Sequence, residues 1–137
     1  MPGDRAPRVR GRPPAATKEQ FLDAVRQRFL AGQRIDIQAI SAELGLSRAT
    51  VHRWYGSRYD VIGTAMASLV VPLFQRIDRE RDGSGAERLV DVFERQLRVL
   101  AEDPALRRFL EFEREAAQRI LTASDGLVEP QVVAVLQ

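Results

Sequence analysis

The sequence predicts an all-α protein: a three-helix head that contains a helix-turn-helix, a long connecting helix, and a partial helical bundle. Three observations predict it. Apolar residues recur at helical spacing from Phe21 onward, and no strand is expected. Between Ile35 and Arg58 two short helical patterns meet at Gly45, the spacing a helix-turn-helix needs to offer its second helix to a DNA major groove. From Val61 to Ile77 a single apolar stripe keeps helical period, within a helix of roughly 33 Å at 1.5 Å per residue.

Residues 1–16 are rich in Pro, Gly, Ala and Arg without apolar periodicity, which predicts a disordered basic arm. Within it, Arg10-Gly11-Arg12-Pro13 has the pattern of an AT-hook core. Such arginines enter a narrow A·T minor groove, or, as a plain basic tail, touch phosphates only. The first helix starts after Thr17, which has capping-box spacing with Gln20. Phe21, Leu22, Val25, Phe29 and Leu30 form its core stripe, and Gly32 stops it. Asp36 caps the second helix and Ser47 the third, which ends near Tyr55-Gly56. Ile40, Leu44, Leu46, Val51 and Trp54 point inward, Ser41 is small where the helices meet, and Tyr55 reads as core.

Ser57 and Asp60 form a second capping box, opening the connecting helix, which runs to about Arg79 with Pro72 inside it to bend it. Arg81 to Gly85 is a loop. A fifth helix spans about Ala86 to Glu102, burying Leu89, Val92, Phe93, Leu97 and Leu100. Asp103-Pro104 then caps a sixth, expected to run unbroken to about Ala123 and to bury Leu106, Phe109, Leu110, Ala117, Ile120 and Leu121. A last helix is expected from near Pro130. Its stripe of Val132, Val133, Val135 and Leu136 meets Gln137 without a cap, which predicts a chain shorter than its fold. The domains expected are the arm at 1–16, the head at 17–62 and a partial helical regulatory domain at 63–137.

The formal charge of +2 hides an asymmetry. Residues 1–59 hold 11 Lys+Arg against 5 Asp+Glu, and residues 60–137 hold 10 against 14. A basic head on an acidic body predicts an anionic partner for the head alone. Twenty of the 21 basic residues are arginine, so arginine at any single site says less than the placement of charge. Without cysteine there are no disulfides, thiolate nucleophiles or thiolate metal sites, which fits a reducing cytoplasm. With His52 the sole histidine, neither a catalytic triad nor a zinc site can be assembled, so no catalytic residue, metal or cofactor is expected and the chain is not read as an enzyme. No apolar run is expected to reach the roughly 18 residues of a membrane span.

The outward face of the third helix supplies the DNA-binding candidates: Arg48, Ala49, Thr50, His52 and Arg53. Arg48 and Arg53 suit guanine, whose O6 and N7 match the guanidinium fork, or in the case of Arg53 a phosphate. Ala49 or Thr50 suits a thymine methyl group, and Ser47 is expected to cap and to reach phosphate. His52 is read as a DNA contact or surface filler, and Trp54 as core or a phosphate-contacting indole. Ser57 and Arg58 are expected phosphate anchors. Glu111, Glu113 and Glu115 read as a solvated face, since i, i+2 and i+4 do not share one side of a helix.

Residues 17–62 resemble the head of tetracycline-repressor-like (TetR-type) regulators. The resemblance lies in Phe21-Leu22-Asp23-Ala24, in Ile40-Ser41-Ala42-Glu43-Leu44-Gly45-Leu46-Ser47, in Thr50-Val51-His52-Arg53-Trp54-Tyr55, and in Ser57-Arg58. His52, Arg53 and Arg58 depart from the residues usual there, so the DNA sequence read should differ from that of better-known members. Arg108-Phe109-Leu110-Glu111 through Arg119-Ile120-Leu121-Thr122 is similar to the QsdR branch. The resemblance implies a cytoplasmic homodimer on a palindromic double-stranded operator, although this 137-residue chain is expected to pair poorly. It also implies a small-molecule effector held by Met66, Leu69, Leu73, Phe93, Leu97, Phe109 and Phe112, residues that equally describe a plain helical core. The function expected is a sequence-specific, ligand-responsive repressor. The alternative is a non-specific architectural DNA-binding protein that relies on the basic arm.

Overall fold

The computed structural model describes residues 15–122, the side chain of Leu121 excepted. Arg10 and Arg12 of the expected arm and the helix expected from Pro130 lie outside the described residues. Within them seven helices follow in order: α1 Lys18–Leu30, α2 Ile37–Glu43, α3 Arg48–Tyr55, α4 Arg58–Arg79, α5 Gly85–Glu102, α6 Pro104–Phe112 and α7 Arg114–Thr122. No strand occurs among the described residues.

Local chemistry sets most boundaries. Helix ends leave backbone groups without partners, and short polar side chains supply them. Thr17 and Gln20 form the reciprocal capping box of α1. The Asp36 carboxylate accepts from the amides of Gln38 and Ala39, each at 3.0 Å, to cap α2. Ser47 caps α3 through Thr50, Ser57 and Asp60 box α4, and Asp103 caps α6 just ahead of Pro104. α4 stays helical through Pro72, which is exposed.

Two cores lie on either half of α4. The larger joins Phe21, Val25 and Phe29 of α1, Ile40 of α2 and Val51 of α3 to Val61, Ile62, Ala65 and Met66 of α4. It continues into Ala105 and Phe109 of α6 and Ala116, Ala117 and Ile120 of α7. The core therefore runs without a break across the expected boundary between residues 62 and 63. Phe29 meets Phe109 edge-on, 5.6 Å between ring centroids, and so binds α1 to α6. The smaller core is Phe74 and Ile77 of α4 with Val92 of α5. Arg88 stitches the turn above it, pairing with Asp78 at 2.6 Å and donating to the Arg81 carbonyl.

The expected sixth helix is two helices. Glu113 takes φ −129° and ψ 43°, outside the helical region. Its N–H still closes α6 on the Phe109 carbonyl and its own carbonyl opens α7 by accepting from Ala117. The bend lets α6 pack on α1 and α5 while α7 packs on α4, which a straight rod would not do. Leu30, Leu97 and Leu110 were expected inside and lie exposed, Leu97 at 64%. α4 is also long and apolar enough, by length and composition, to cross a membrane, against expectation. Here it forms the shared wall of both cores.

Two glycines give opposite expectations. Gly56 has φ 88°, and a Cβ there would sit 3.0 Å from the Asp60 carboxylate. Gly63 is helical, and a Cβ would touch Ile120 at an ordinary 3.8 Å. Gly56→Ala should destabilise by more than about 1 kcal/mol. Gly63→Ala should stabilise by roughly 0.5–1 kcal/mol. Urea unfolding of both variants checks the pair.

Candidate nucleic-acid interface

The α2–α3 turn is built by one left-handed residue. Gly45 takes φ 66°, its N–H donates to the Ala42 carbonyl at 3.1 Å, and the Leu46 N–H donates to Ser41 at 2.8 Å. This crossed pair is the Schellman closure of a helix end. Ser41 is buried at the helix contact, its hydroxyl spent on the Ile37 carbonyl at 2.6 Å. With Val51 buried and Leu44, Leu46 and Trp54 packed against the core, α3 can roll neither way.

What remains outward on α3 is Arg48, Ala49, His52 and Arg53, all exposed. Thr50 is half-buried, and its hydroxyl pairs with that of Ser47 at 2.9 Å. His52 Nδ1 lies 2.5 Å from the Gly56 carbonyl oxygen, which can only accept, so the ring carries its proton on Nδ1. Nε2 remains as its second polar atom. The Trp54 ring packs against the core. Tyr55 is tied down by its hydroxyl, which donates to the Lys18 carbonyl at 3.1 Å, and burial raises its phenol above the ordinary value.

One side of α3 borders a cleft of about 840 Å³ between the head and the α6–α7 elbow. Arg34, Arg48, His52, Arg58 and Arg114 stand on its wall with Asp36, Glu113 and Glu115. The acids are engaged: Asp36 on α2 amides, Glu115 with the Tyr59 hydroxyl at 3.0 Å, and Glu113 with Arg58 at 2.7 Å. Arg34, Arg48, Arg53 and Arg114 make no ion pair among the described residues. Ligand pockets of similar size (about 300–1,000 Å³) are mostly apolar. This wall instead carries four guanidinium groups against three carboxylates, a formal +1, with Arg34, Arg48 and Arg114 outside any ion pair among the described residues.

Residues 84–137 match the family described as "Tetracyclin repressor-like, C-terminal domain". The structure superposes on the R. erythropolis transcriptional repressor QsdR of the TetR family, with a TM-score of 0.74 and 26% identity over 85% of this chain. The chain is thus similar to TetR-family proteins in its C-terminal sequence and in its fold. It spans 62% of the length of that solved repressor. No curated protein matches it.

The residues that the resemblance implies for an effector are spread over the fold. Met66 and Phe109 are in the larger core with Leu69 against it, while Leu73 packs on the smaller core. Phe93 is half-buried, and Leu97 and Phe112 face solvent. The seven are thus divided between the two cores and the surface.

The acidic trio also needs correction. Glu111 and Glu115 are exposed as expected, but Glu113 is 8% exposed and bound to Arg58. Arg58, expected as a free phosphate anchor, donates from Nη2 both to Glu113 and to the Ile35 carbonyl at 3.1 Å. The signal was in the sequence. Phe109, Glu113, Ala117 and Ile120 follow 4-4-3 spacing, so Glu113 occupies a position of the buried stripe. Arg34 and Arg114 carried no signal, since only the folded elbow brings them to the α3 side.

At the α3–α4 junction the Ser57 hydroxyl, then its backbone N–H, hold the Asp60 carboxyl below its ordinary value. A carboxyl lowered on folding stabilises the fold above its unfolded value, and that contribution is lost as pH falls through the folded value. Ser57→Ala should reduce stability at neutral pH by about 0.5–2 kcal/mol. Asp60→Asn should be less stable than the parent at neutral pH, with the gap closing below about pH 4. Thermal unfolding across a pH series measures both.

Proposed function

We propose that the chain is a sequence-specific DNA-binding transcriptional regulator of the repressor kind. The observation that carries this reading is the division of α3: Val51 and Trp54 are held by the core while Arg48, Ala49, His52 and Arg53 face outward beside a cleft that Arg34, Arg58 and Arg114 also line. A helix with that exposed set, fixed across a tight turn, suits the major groove. Arg48 and Arg53 are the proposed base-edge readers, with Ala49 or Thr50 against a thymine methyl group. Ser47 and Ser57, each at a helix start, are the proposed phosphate contacts. Arg58 stands apart because Glu113 holds its charge.

Repression takes its support from the solved relative, described as a transcriptional repressor. A small-molecule effector, a homodimer on a palindromic operator and a cytoplasmic location belong to the same proposal and rest on the family resemblance. The minor-groove role of Arg10 and Arg12 is likewise proposed.

Selection of bound duplexes from a random pool tests the reading: it should yield a defined motif, and recovery of no common motif would favour the architectural alternative. Arg48→Ala should lower discrimination at one base position by about 1–3 kcal/mol while binding to random duplex changes little. A uniform loss across all sequences would remove Arg48 from the base-reading set.

A further inference from the structure

We propose that Glu113 meters the charge of Arg58, so that the α6–α7 elbow sets how strongly the head holds a DNA backbone. The proposal rests on the DNA-binding reading. Three features of the structure support it.

First, Glu113 is a buried carboxylate in an apolar stripe, and a buried charge must be paired. Its partner is Arg58 in the first turn of α4, 2.7 Å away, 55 residues distant in sequence. Second, the Arg58 side chain remains 38% exposed on the wall of the cleft that also holds Arg48 and His52. One guanidinium nitrogen is committed to Glu113 and Ile35, and the group still borders the space an incoming phosphate would enter. With Glu113 in place its charge is locally neutralised. With Glu113 withdrawn, a cation joins Arg34, Arg48 and Arg114.

Third, Glu113 is itself the joint. Its backbone closes α6 and opens α7, so a change in the angle between those helices moves the carboxylate directly. A second tie transmits the same motion: the Tyr59 hydroxyl donates to Glu115, and Arg119 lies over the Tyr59 ring at 4.5 Å. The first turn of α4 is thus fastened to α7 at two successive residues. Only Gly56 and Ser57 separate that turn from the end of α3.

The test is the salt dependence of binding to a fluorescent random-sequence duplex, which reports phosphate contacts irrespective of base sequence. Each phosphate neutralised adds about 0.9 to the slope of log K against log salt. Glu113→Gln, whose amide oxygen still accepts from Arg58, should bind more tightly at low salt, with a slope steeper by about one. Glu111→Gln removes the same charge from an exposed neighbouring position and should leave the slope unchanged. The double variant Arg58→Gln/Glu113→Gln should return to the parent slope. A parent slope in Glu113→Gln, or a steeper slope that survives in the double variant, overturns the proposal. Should Glu113→Gln fail to fold, the double variant decides, since it keeps the net charge of the pair: a slope shallower than the parent's by about one would mean that Arg58 already held a phosphate, and overturns it. If the parent chain binds no duplex at low salt, the DNA-binding reading falls and takes this proposal with it.

Discussion

Everything in the fold hangs on α4 being buried twice. Its first half closes the core that α1, α2 and α3 begin, and its second half makes a separate core with α5. A helix of 22 residues is long enough to do both, and its apolar stripe turns slowly enough to stay inward along the whole length. Neither the three-helix head nor the α5–α7 layer has a core of its own without it. The head is therefore not a ball on a tether. α6 and α7 lie against the same apolar side chains that hold α3 in place, which gives the body a physical route to α3.

The outward face of α3 follows from constraints laid on its other side. The left-handed Gly45 and the crossed hydrogen bonds around it fix the angle at which α3 leaves α2. Val51 in the core fixes rotation, and the Tyr55 hydroxyl on the Lys18 carbonyl anchors the far end to α1. The eight residues between the two caps then have no freedom left. Arg48, His52 and Arg53 are exposed because they are what remains once the buried positions are satisfied. Trp54 packs against the core and is half-buried.

How much of this was legible in the sequence depends on how local its cause is. Capping pairs such as Thr17 with Gln20 and Ser57 with Asp60 act over three residues, so helix starts could be read directly. Apolar stripes in α1 and α4 were likewise readable, because burial on one side needs only a fixed period. Leu97 and Leu110 misled for the same reason: a stripe says which side is apolar, not whether a neighbour covers it. The break at Glu113 has no glycine or proline to announce it. It arises because two halves of one pattern pack on different partners, a fact that exists only in three dimensions. The candidate site divides the same way. Arg48, His52 and Arg53 could be assigned from the turn alone, whereas Arg34, Arg114 and the engagement of Arg58 needed the elbow.

The elbow also explains why an acid is found where an apolar residue would pack. Replacing a buried ion pair by apolar side chains of similar size is often neutral or stabilising, so the pair is a weak source of stability. Its effect is on which arrangement survives. A carboxylate in the stripe makes every packing that buries it away from Arg58 unfavourable, including a straight continuation of α6. The bent path at φ −129° and ψ 43° brings the carboxylate within 2.7 Å of the guanidinium. An apolar residue at position 113 would relax that demand and permit several elbow angles of similar energy. The acid thus trades stabilisation for a bias toward the elbow angle that keeps it paired with Arg58, at the place where body and head meet.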